Sequence, residues 1–143
     1  MRTVAAYRWF AVLAAASILA GCGKRDVLPL LPVTGTVSYQ GKLLDRGEVV
    51  FTPQSGTPGP PAIGKIRPDG SFVMETMGRR GATLGEHKVT VHCRRELSAE
   101  EISKRSLVVP QSLIPDKYWK QDLSPLRFVV QENLANVYDI RLD

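Results

Sequence analysis

The feature that most constrains this chain is alternation. Val33, Val37 and Tyr39 alternate with Thr34, Thr36 and Ser38, and Val49 and Phe51 alternate with Glu48 and Thr52. Successive side chains of a strand point to opposite faces, so a period of two writes one apolar and one polar face. Gln40-Gly41-Lys42 supplies the turn between these two strands, and Gln54 to Pro61 (QSGTPGPP) is a loop by composition. A strand over Ala62 to Arg67 returns through Asp69-Gly70 into Ser71 to Met77. Asp-Gly is a hairpin signal because the primed turns that match strand twist need positive φ, which these residues tolerate. After GRRGATLG (Gly78 to Gly85), read as a loop whose mobile basic tip Arg79-Arg80 is either a solvated turn or a contact for anionic lipid headgroups, Glu86 to Cys93 alternates again. Here His87, Val89, Val91 and Cys93 share one face and Lys88, Thr90 and His92 the other. Leu126 to Gln131 and Val137 to Leu142 complete the set, the bend falling at Glu132-Asn133 and Tyr138, Ile140 and Leu142 sharing a face. Seven short strands with turn signals between them predict an all-β fold, a single antiparallel β-sandwich.

One interval breaks the rhythm. The 32 residues between Cys93 and Leu126 open with Ser98-Ala99-Glu100-Glu101, a capping box that predicts a short helix to about Arg105. The remainder is a long connection with three prolines, Pro110, Pro115 and Pro125.

The N-terminus has a different character. Arg2 and Arg8 precede an uncharged apolar stretch from Trp9 to Gly21, the layout of a signal helix for export over residues 1–21. A membrane-spanning helix needs about 20 apolar residues, and this run is bounded by Arg8 and Lys24. At its end Leu19-Ala20-Gly21-Cys22 resembles the lipobox of bacterial lipoproteins, in which the cysteine is acylated and becomes the new N-terminus. Residues 22–32 then read as a lipidated tether, and residues 33–143 as the β-sandwich domain.

Removing 21 of 143 residues leaves 122, a common size for one domain with one core. Of the 19 basic side chains Arg2 and Arg8 depart, leaving 17 against 14 acidic ones, so the formal charge drops from +5 to +3. The remaining arginines are scattered, in pairs at most, without the clustered face of a nucleic-acid reader, and no nucleic-acid partner is expected. With Cys22 acylated, Cys93 is the only thiol left, and no intramolecular disulfide can form in an oxidising compartment.

The segments VTGTVSYQGKLLDRGEVVFTP, PAIGKIRPDGSFVMET, GEHKVTVH and LIPDKYWKQDLSPLRFVVQ together resemble a family of small bacterial envelope lipoproteins. These carry a carboxypeptidase regulatory-like domain, itself similar to the transthyretin-like or immunoglobulin-like sandwich. The carrying motifs are Gly35 and Gly41 at turns, Gly47 before a strand, Asp69-Gly70, and Ile114-Pro115 with Lys117-Tyr118. The resemblance implies a lipid-anchored protein facing the periplasm or cell exterior, with a structural or interaction role. It implies no peptidase activity, because metallocarboxypeptidases keep their zinc ligands in a separate catalytic domain. Where this family has Tyr after Gly-Glu, the chain has His87.

Catalytic chemistry finds little footing in the residues. Zinc catalysis needs three converging protein ligands. His87 and Cys93 are six residues apart on one strand face, about 20 Å at the usual rise, and His92 points the other way. No G-x-S-x-G elbow or phosphate-binding glycine loop occurs, so no catalytic residue, metal or cofactor is expected. Cys93 reads as a core residue or, if exposed beside Arg94 and Arg95, as a reactive thiol. Tyr118-Trp119, between Lys117 and Lys120, is the candidate binding surface, either for an envelope protein or by stacking on a polysaccharide. The competing reading has the pair cover an open end of the sandwich.

Overall fold

The computed structural model describes residues 28–103 and 109–143. The signal helix, Leu19, Ala20, Gly21, Cys22 and the first part of the tether lie outside these residues, as does the end of the helix expected to reach Arg105. Among the described residues twelve strands form in chain order: Leu30–Leu31 (β1), Val33–Tyr39 (β2), Lys42–Leu43 (β3), Glu48–Pro53 (β4), Ala62–Lys65 (β5), Ser71–Val73 (β6), Glu75–Thr76 (β7), Arg79–Arg80 (β8), Ala82–Thr83 (β9), Gly85–His92 (β10), Arg127–Val130 (β11) and Asn136–Leu142 (β12). Among the described residues two short helices, Ala99–Ser103 (α1) and Asp116–Trp119 (α2), lie in the connection between β10 and β11.

The fold is the expected all-β sandwich. One sheet has six strands in the order β11-β10-β4-β5-β7-β8. The other is centred on β2, with β12 along one side and β3 and β6 sharing the other side. Alternation places Val49, Phe51, Val89, Val91 and Val130 of the larger sheet against Val33, Val37, Phe72, Ile140 and Leu142 of the smaller one in a single core. The capping box forms as read: the Ser98 N–H donates to Glu101 Oε2 at 2.8 Å, and the Glu101 N–H donates to Ser98 Oγ at 3.2 Å.

Several local expectations are corrected. The fold begins before Val33, because Leu30–Leu31 pairs with Ala82–Thr83 and Leu31 packs on the core, a two-residue strand too short to announce itself by period. The strand expected over Ser71 to Met77 breaks at Met74, where the chain crosses from β6 in one sheet to β7 in the other. Met74 is fully buried, its N–H donating to Val33 O at 2.9 Å and its carbonyl accepting from the Gly81 N–H at 2.7 Å. The segment read as a loop from Gly78 to Gly85 holds β8 and β9. Arg79-Arg80 is therefore an exposed strand paired with β7, not a mobile tip. Met77 and Gly78 make the turn between β7 and β8 with φ of 49° and 75°, the two positive angles of a primed hairpin turn.

One pairing departs from the antiparallel pattern and orients the molecule. β2 and β12 run parallel, Asn136 opposite Val33 and Leu142 opposite Tyr39. Both begin at the end of the sandwich where the chain comes in, which also holds the β7–β8, β9–β10 and β11–β12 turns. This is the proximal end. Both finish at the distal end, about 20 Å away at the usual rise per residue.

Candidate functional site

The two aromatics singled out in the long connection have different fates. Tyr118, on α2, is 2% exposed. Its hydroxyl is hydrogen-bonded to the Asp143 carboxylate and accepts from the Asp143 N–H at 3.1 Å. Lys117 Nζ, 3.4 Å from the same carboxylate, lies 4.7 Å from the centre of the Tyr118 ring. The hydrogen bond from Tyr118, joined by Lys117, holds the Asp143 carboxyl below its ordinary range. Tyr118 thus fastens the connection onto the end of β12, as the covering alternative has it, and offers no stacking surface.

Trp119 is half-buried, and its indole N–H donates to Asp116 Oδ1 at 3.1 Å. The Arg94 guanidinium and the Lys120 ammonium lie 5.9 and 5.1 Å from the ring centre, so the indole already carries cation–π partners from its own chain. Lys120 is held in place by Asp116 at 2.7 Å. The arrangement suits a supported guanidinium at the distal end better than a bare aromatic face.

Strand register adds neighbours that sequence spacing could not supply. Lys65, Glu48 and His92 are direct partners across β5, β4 and β10, forming one row on the outer face of the larger sheet. With Arg46, Arg94 and Glu96 they line an open cleft of about 440 Å³. Arg46 is paired with Asp45 at 2.9 Å and with Glu96 at 3.2 Å. The cleft is a mixed-charge surface beside Trp119, and its four basic side chains come from three strands or their ends.

The remaining singled-out residues sit in the core or beside it. Cys93 is a free, buried thiol, 1% exposed, and burial pushes its pKa up, away from the reactive thiolate. His92, expected to face solvent, is half-buried with Nε2 3.2 Å from Thr90 Oγ1.

His87 is 1% exposed and lies among aromatics, 5.7 Å from the centre of Phe51. Its Nδ1 is 3.0 Å from the Gly85 carbonyl and its Nε2 is 3.3 Å from Thr83 Oγ1. A carbonyl can only accept, so Nδ1 carries the proton and Nε2 accepts from Thr83 in the neutral ring. Burial lowers the pKa of His87, and also that of His92, below the ordinary 6.5. The unfolded chain therefore binds protons that the folded one refuses, and stability falls as pH is lowered from about 6.5 toward the folded values. Urea midpoints should drop between pH 7.5 and 5.5. The slope should shrink in His87→Phe; an unchanged slope would assign the effect elsewhere.

No family model matches the chain, and no curated protein or solved structure shows significant similarity to it.

Proposed function

We propose that the protein is a lipid-anchored, non-enzymatic component of the bacterial cell envelope, a structural or interaction module held through acylated Cys22. It faces the periplasm or the cell exterior. The sequence supports this through the export signal, Leu19-Ala20-Gly21-Cys22, and the resemblance to carboxypeptidase regulatory-like envelope lipoproteins. The observation that carries the reading is Leu19-Ala20-Gly21-Cys22 at the end of the apolar export stretch, and the parallel β2–β12 pair agrees with it. The pair puts the incoming tether at one end of a rigid sandwich, and it puts the connection bearing Trp119 and Arg94, fastened by Tyr118 to Asp143, at the other. A domain so built holds a fixed loop surface away from its anchor, where an envelope partner meets it.

Fractionation of cells expressing the full chain tests the anchor. The wild-type protein should sediment with membranes and incorporate labelled palmitate. Cys22→Ser should appear unlabelled in the soluble fraction, and its continued sedimentation with membranes would sink the proposal.

A further inference from the structure

The proximal end of the sandwich presents apolar side chains to solvent at three successive turns. Met77, at the tip of the β7–β8 hairpin, is 84% exposed, Leu134 in the β11–β12 turn is 63% exposed, and Leu84 between β9 and β10 is 45% exposed. The first two of these turns are clamped by side chains. Thr76 Oγ1 donates to Gly81 O at 2.7 Å across the base of the hairpin. The Asn136 side chain clamps the other turn, accepting from the Gln131 N–H at 2.9 Å and donating to Gln131 O at 3.0 Å. Met77 occupies a positive-φ position that usually goes to Asn, Asp or Gly, so a large apolar residue stands there against local preference. Arg79 and Arg80, both exposed, follow after Gly78.

The same end receives the tether. Leu28 lies against Gly59, where a Cβ would sit 3.1 Å from its Cδ1, and Leu30–Leu31 pairs with β9. Between Cys22 and Leu28 there are six residue steps, at most about 22 Å of fully extended chain. With acyl chains on Cys22, the proximal end is confined within that distance of the bilayer, and the anchor raises its local concentration there.

We propose that the proximal end is a membrane-docking face: Met77, Leu134 and Leu84 enter the interfacial layer, and Arg79 and Arg80 meet anionic headgroups. The proposal rests on the lipid-anchor reading for its geometry. Apolar turn residues gain by leaving water, and each arginine near an anionic surface adds a further attraction. Glu132, in the same turn as Leu134, and Glu75, the cross-strand partner of Arg80, oppose the attraction. The distal cleft and Trp119 are then turned toward the envelope space.

Two measurements test this. In the first, the purified acylated full chain is placed in vesicles of phosphatidylethanolamine and phosphatidylglycerol, with an environment-sensitive fluorophore on Met77→Cys, Leu134→Cys or the distal Leu43→Cys. Brominated lipids should quench the first two labels at least about twofold more than the third; equal quenching, or equal access of aqueous iodide, overturns the docking face. The second needs no acyl chains. The full chain carrying Cys22→Ser should float weakly with phosphatidylglycerol vesicles, and Arg79→Ala with Arg80→Ala should weaken that binding on the order of tenfold or more. Met77→Asp with Leu134→Asp should also weaken it, and flotation unaffected by either pair of changes overturns the proposal. Because failure of the anchor appears in palmitate labelling, it is read separately from failure of the face.

Discussion

Phe51→Ala is expected to cost about 3–5 kcal/mol, a large part of the stability of a domain this size. Phe51 is fully buried and joins the two sheets at one point. Its ring centre lies 5.7 Å from His87 and 5.5 Å from Phe128 in its own sheet, and 6.4 Å from Tyr138 of β12 in the facing sheet. Phe128 and Tyr138 stack on each other at 4.8 Å, so four rings form one contiguous cluster. Truncation removes the hydrophobic contribution of the member that touches the other three and leaves a hole bordered by three rings that are fixed to three different strands. Collapse into that hole would require the sheets to move together or the rings to leave positions that strand register fixes. Urea unfolding should show the midpoint moving down by about 2 M, with the slope against urea unchanged. Phe51→Leu should retain most of the stability. An alanine variant within about 1 kcal/mol of wild type would show that the two sheets are not joined here.

Such a cluster is only partly visible in the sequence, and the reason is instructive. The alternation that fixes which way Phe51 and His87 point is local, and it was readable with the correct face in β2, β4, β10 and β12. Ser98 and Glu101 were likewise readable, because a capping box is a contact between residues three apart. What could not be read is anything that depends on register between strands distant in sequence. His92 meets Glu48, and Glu48 meets Lys65, only because β4 pairs on both sides at particular offsets, so the mixed-charge cleft leaves no mark along the chain. The parallel β2–β12 pair is of the same kind, since alternation has no direction. Tyr118 shows a different limit. Its position beside Lys117 and Trp119 leaves a stacking surface and a cover over the end of the sandwich both open, and only the contact with Asp143, 25 residues away, decides for the cover. The sheet switch at Met74 was hidden because β6 and β7 continue one apparent alternation across the crossing.

Gly35 gives the sharpest contrast between sequence pattern and packing, and Gly35→Ala the second large expected effect. Read as a turn glycine, it lies instead inside β2, opposite Tyr138 of β12 on one side and Phe72 of β6 on the other. A Cβ there would meet the Tyr138 carbonyl oxygen head-on, with its carbonyl carbon at 2.7 Å and Phe72 Cζ at 2.8 Å. The first obstacle is backbone, which can move only by displacing β12, and β12 carries Ile140, Leu142 and the attachment of Tyr118 at Asp143. The second is a 1% exposed ring in the core. Neither neighbour can rotate away, so the substitution should cost about 3 kcal/mol or more and loosen the distal connection with it. Two other glycines calibrate the claim. At Gly64 the nearest atom to an added Cβ is the Sδ of Met74, the far part of a flexible side chain, and Gly64→Ala should be milder. At Gly41 there is nothing within 4 Å, and φ of 78° leaves only the conformational penalty, about 1 kcal/mol. Thermal or urea unfolding of the three variants should rank Gly35→Ala as the most destabilised. If Gly35→Ala matched Gly41→Ala, the tight approach of β2 to β12 would have to be abandoned, and with it the rigid link between the proximal and distal ends.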